Sequence, residues 1–172
     1  MFQLLSVITS FTCLFFGWLC GWRGKEASRW PRMRLPGILL GTVCLAFSAW
    51  YGCLMLEGGL AKYQPLAWAL VPITAVLSYF FLDFLFARSL GGFLILSANA
   101  LIHFGFVEKV PLRGVFSVNC LVLGVLGLFL LGTPWWMRDV MLWSEGHPTG
   151  RKWLKGAFAL SAMLLLLSFG SI

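Results

Sequence analysis

Continuous apolar runs, not alternating ones, organise this chain. Six can be traced: Phe2 to Trp22, Leu35 to Leu56, Leu66 to Ala87, Ser89 to Val107, Leu112 to Gly132 and Gly156 to Ile172. A helix rises about 1.5 Å per residue, so roughly 20 apolar residues cover the hydrocarbon core of a bilayer. A membrane barrel would need alternating polarity, which these runs lack. In lipid each backbone must satisfy its own polar groups, so the runs are expected to be helices. The expected fold is all-α: one compact bundle of six transmembrane helices, with the longer connections at 23–34 and 133–155.

Charge sets the expected orientation. The first connection carries Arg23, Lys25, Arg29, Arg32 and Arg34, the third Arg88, and the fifth Arg138, Arg151, Lys152 and Lys155. Those odd connections hold ten basic residues, against three in the even ones: Lys62, Lys109 and Arg113. The positive-inside rule then puts the odd connections in the cytoplasm and both termini outside it. The first run lacks a preceding positive residue and a small-residue cleavage site, so it reads as a retained helix. Trp22, Trp30, Trp135, Trp136, Trp143 and Trp153 gather toward the cytoplasmic side, and Trp50, Tyr51, Tyr63 and Trp68 toward the other. Such rings prefer the headgroup level. Between the fifth and sixth runs, Pro134 to Trp143 reads as a short interfacial helix with Trp136, Met137, Val140 and Met141 on one side.

Composition narrows the class. Of 172 residues, 60% are hydrophobic and 11% charged, too few charges to coat a soluble globule and too much apolar residue for disorder. The net charge of +7 is expected to meet anionic headgroups, not nucleic acid, since no basic folded domain is there to dock a duplex. A bacterial inner membrane suits so small a polytopic chain. Cys13, Cys20, Cys44, Cys53 and Cys120 all fall in apolar runs without CxxC or metal-ligand spacing, and read as small buried hydrophobes.

Small residues suggest where helices meet. Gly17 and Gly21 form one GxxxG and Gly37 and Gly41 another, at similar depth in the first two runs. Such faces let backbones approach closely, so the first and second helices are expected to cross there. Gly124 and Gly127 offer a weaker face in the fifth run.

Polar groups inside the membrane are costly and mark the candidate functional residues: Asp83, Asn99, His103 and Asn119. Asn99 and His103 share a helix face. Asn99 and Asn119 fall at similar depth and are expected to hydrogen-bond across the bundle. Asp83 is expected to pair with Arg88, Arg34 or Arg138. Together with Arg29 and Arg32, those arginines are the candidates for lipid phosphate at the interface. His103 has no axial partner for haem, and no metal or other cofactor is expected.

The run Asp83-Phe84-Leu85-Phe86-Ala87-Arg88 superficially resembles the opening of the CDP-alcohol phosphatidyltransferase motif, D-G-x-x-A-R. Phe84 stands where that motif has Gly. Its later Gly and two Asp would fall on Ser97, Leu101 and Gly105, so the metal-binding carboxylates are missing and the resemblance implies no such activity. Gly-x-Ser-x-Gly, His-Glu-x-x-His and phosphate-loop patterns are absent. No catalytic residue is assigned. The expected role is a non-enzymatic accessory or structural membrane subunit, packing with itself, another membrane protein and lipid. The alternatives are a small transporter or channel using the Asn99, His103 and Asn119 face, and an enzyme acting on lipid headgroups.

Overall fold

The computed structural model describes residues 2–19, 32–55, 58–107 and 113–169, and their regular structure is helical. In chain order these are α1 (Phe2–Leu19), α2 (Arg34–Met55), a 3-10 helix (Gly58–Tyr63), α3 (Gln64–Phe81), α4 (Leu85–Val107), α5 (Arg113–Gly132), α6 (Trp135–Gly146) and α7 (Pro148–Phe169). Four segments are long and apolar enough to cross a membrane: Arg34–Cys53, Ala61–Phe81, Leu85–Val107 and Arg113–Gly132. The apolar part of α1, Leu4–Leu19, is shorter. The last helix, α7, carries Arg151, Lys152 and Lys155 near its start.

Two boundaries depart from the hydropathy pattern. The third helix stops at Phe81 rather than Ala87, and α4 has begun by Leu85. Leu82 is extended, its N–H held by the Ser78 carbonyl at 3.1 Å, and Phe84 takes a left-handed φ of 56°. The break falls inside an apolar stretch, where hydropathy has no contrast to mark it. The last helix begins at Pro148 instead of Gly156, because proline is well suited to a first turn and basic side chains do not stop a helix. Gly150 therefore lies within α7.

Buried hydroxyls are absorbed locally. In α1, Thr9 donates to the Leu5 carbonyl at 2.8 Å and Ser10 to that of Ser6 at 2.7 Å. Each bond goes back one turn, so the helix carries polar side chains without orphaned groups. Pro72 sits inside α3 and removes one backbone donor.

Packing centres on α4, which lies against α5, α2 and, less extensively, α1. Its inner residues Ala87, Leu94, Ala98 and Leu101 are buried. The α4–α5 crossing is the closest. A Cβ built on Gly91 would lie 2.6 Å from the Gly127 carbonyl oxygen, and one on Gly127 would lie 2.7 Å from that of Gly91. Bare backbones therefore touch, which only glycine permits. Higher on the same pair, Phe116 fills the space beside Gly105.

The expected crossing of the first two helices is not what forms. The main partner of α1 is α7, and that of α2 is α4. A Cβ built on Gly17 would lie 3.1 Å from the Phe158 Cβ, while Phe16 and Phe158 meet edge to face with centroids 4.9 Å apart. Gly37 lies against the backbone of Leu85 and Phe86, and Gly41 against Ser89. The Ser89 hydroxyl then donates to the Gly37 carbonyl at 2.7 Å. Between α1 and α2 there is instead an apolar cavity of about 290 Å³, lined by Ile8, Val43, Phe47 and Phe93. Gly21 lies outside the described residues. Gly127, expected to be the weaker face, meets the backbone of Gly91 directly.

Candidate functional site

The polar residues expected to act together are divided by the fold. Asn119 points from α5 toward α7. The Ser161 hydroxyl donates to its Oδ1 at 2.8 Å, and its Nδ2 donates to the Ser161 carbonyl at 3.3 Å. Asn99 and His103 are exposed on the outward side of α4, with His103 beside the Phe104 ring at 5.7 Å between centroids. The expected Asn99–Asn119 bond is therefore replaced by Asn119–Ser161. Equal depth is not enough for contact, because the α4–α5 crossing at Gly91 and Gly127 turns Asn99 away. Ser161 was missed because a lone serine in an apolar run carries no distinguishing signal.

The Asn119–Ser161 pair borders a cavity of about 410 Å³ between α5 and α7. Its wall is almost entirely apolar, including Val122, Leu126, Phe158 and Leu164, with Trp136 and Met137 of α6 at one end. The amphipathic α6 buries Met137, Met141 and Ser144 and exposes Trp135, Trp136 and Trp143.

A different chemistry collects at the end of the bundle where α3 turns into α4. A cavity of about 330 Å³ is lined by Arg32, Arg34, Leu82, Asp83 and Phe84. The packing of α2 against both α3 and α4 brings the start of α2 over this turn. The Arg32 guanidinium lies 5.0 Å from the Phe84 ring centroid, and that of Arg34 lies 5.6 Å from the Tyr79 ring. Both are within cation–π range. The left-handed backbone at Phe84 costs about 1–2 kcal/mol and sets the ring beneath Arg32.

Asp83 is exposed, and among the described residues it forms no ion pair. This corrects its expected pairing with Arg34, Arg88 or Arg138. Arg34 rests on Tyr79, and Arg138 is bound to its neighbour Asp139 at 3.0 Å. Arg88 is half-buried in the first turn of α4, and its Nε is buried with no hydrogen-bond partner among the described residues. Arg29 lies outside the described residues.

Cys13, Cys44 and Cys120 are buried free thiols, Cys53 is half-buried, and Cys20 lies outside the described residues. Among the described residues, no group of three or more His, Cys, Asp or Glu is placed to hold a metal ion. The cavity at the α3–α4 turn offers two guanidiniums and one carboxylate, a set suited to binding charge of both signs. Compared with known families, curated proteins and solved structures, the chain matches none of them.

Proposed function

We propose that the protein is a six-span integral membrane subunit that acts without catalysis, by packing the outward face of α4 against another membrane helix. Both termini lie outside the cytoplasm, and the Arg32–Arg34 end faces inward, in keeping with the basic bias of the odd connections. A bacterial inner membrane is the setting that suits its size. The four long apolar segments and the exposed apolar side chains around them, such as Leu39, Phe80, Val118 and Phe129, support insertion in lipid.

One observation carries the contact. Asn99 and His103 are exposed on the most buried of the four long apolar segments, and Asn99 lies roughly 12 Å inside the end of α4. An amide left facing hydrocarbon has no partner, whereas a neighbouring helix can supply one. The transport alternative loses its shared face, because Asn119 is turned into the bundle and Asn99 lines none of the cavities described above.

Cysteine placement tests this. With Asn99→Cys in native membranes, a bifunctional thiol reagent is expected to give a stoichiometric adduct, while Val118→Cys is expected to give none. Labelling of both positions by a lipid-phase thiol reagent to the same extent, in a chain that runs as a monomer in mild detergent, would overturn the proposal.

A further inference from the structure

We infer that the cavity between the start of α2 and the α3–α4 turn is a binding site for a phosphoethanolamine group, such as the headgroup of phosphatidylethanolamine. The inference uses the membrane placement proposed above but not the α4 contact.

Three charges converge on one space of about 330 Å³: Arg32, Arg34 and Asp83. None of them is joined to another by an ion pair among the described residues. The arginines are instead steadied from one side by the Phe84 and Tyr79 rings. A guanidinium resting on a ring keeps its in-plane N–H donors available, and two such forks suit a phosphate. Asp83 is what narrows the choice. A carboxylate beside a phosphate repels it, unless the ligand brings its own cation. An ammonium two carbons from the phosphate answers both ends at once, neutralising Asp83 and donating hydrogen bonds to it. A choline group has the charge but no N–H to donate. A glycerol headgroup has no cation to offset the carboxylate.

The site is also held in place by the backbone. Phe84 keeps a left-handed φ of 56° that disfavours any residue with a Cβ, and its ring is the platform for Arg32. Such strain survives where the surrounding structure fixes it, often at binding sites.

The test is lipid retention by the full chain purified in detergent. It is supplied with phosphatidylethanolamine, phosphatidylcholine and phosphatidylglycerol of identical acyl chains, and read by native mass spectrometry. Phosphatidylethanolamine is expected to be retained about tenfold better than either of the others, the equivalent of one charge-assisted contact. Asp83→Asn, an exposed and nearly isosteric change, is expected to erase that preference while leaving the protein monodisperse. Arg32→Gln with Arg34→Gln is expected to reduce retention of all three lipids. Free phosphoethanolamine and inorganic phosphate form the soluble arm. Binding of free phosphoethanolamine with no lipid preference assigns the same chemistry to a soluble ligand. Equal retention of the three lipids without soluble binding, or a preference unchanged in Asp83→Asn, overturns the inference. Neither result bears on the Asn99 adduct, so the two proposals fail separately.

Discussion

Ser161 and Asn119 hold each other twice: the serine hydroxyl donates to the amide oxygen at 2.8 Å, and the amide nitrogen donates to the serine carbonyl at 3.3 Å. This reciprocal pair stands where α5 and α7 otherwise leave an apolar cavity between them. It is a point contact that sets how α5 and α7 approach.

Breaking that pair from either side should therefore cost stability in the same way. Asn119→Leu and Ser161→Ala are each expected to lower unfolding free energy by about 1 kcal/mol, and the double variant by less than the sum. Equilibrium unfolding in mixed detergent measures the cycle. Strictly additive losses would show that the two side chains act independently.

The Gly91–Gly127 crossing predicts a sharper effect from a smaller change. Gly91→Ala places a methyl 2.6 Å from a carbonyl oxygen, so α4 and α5 must separate. A loss of about 2–3 kcal/mol is expected, the upper part of the overpacking range. Gly52→Ala is the control, since nothing lies within 4 Å of its Cβ position. It should be neutral or slightly stabilising. Similar melting temperatures for the two variants would contradict the crossing.

How much of this was legible in the sequence can be judged from the same helices. Hydropathy marks the apolar segments because it measures what lipid accepts, and the Met and Trp spacing marks α6. A GxxxG shows that a face admits a close neighbour, but not which neighbour. Gly17 and Gly37 therefore look like mutual partners in sequence but meet Phe158 and Phe86 in the fold. Ala87 and Gly91, four apart, form a small-residue face that the sequence does display. Depth follows from counting residues, so Asn99 and Asn119 could be placed at one level. Direction around the bundle depends on all the contacts together, so their separation could not be read. The cavity at Arg32, Arg34 and Asp83 joins residues far apart in sequence through a break that hydropathy does not register.

Phe84 offers a test of backbone strain that separates it from packing. Phe84→Ala and Phe84→Gly both remove the ring, but only glycine accepts φ of 56° without penalty. The glycine variant is expected to be more stable than the alanine variant by about 1 kcal/mol, the left-handed cost less glycine's greater unfolded-state entropy. Thermal melts of the two in one detergent decide it. An alanine variant at least as stable as the glycine one would mean that the turn relaxes out of the left-handed region.

Orientation is checked by single cysteines in a chain whose own cysteines are replaced by alanine or serine. Arg32→Cys is expected to react with an impermeant maleimide only after the membrane is opened, and Lys62→Cys in intact cells. The reverse pattern would invert the proposed topology.

The pairing of α1 with α7 has a consequence for biosynthesis. The inner side of α1, with Ser6, Thr9 and Cys13, finds its main cover on the last helix of the fold. While a ribosome is still making the intervening helices, that side must wait without its main cover. The α1–α7 contact is thus a late event, and removal of α7 should loosen α1 from the fold rather than merely trim the bundle.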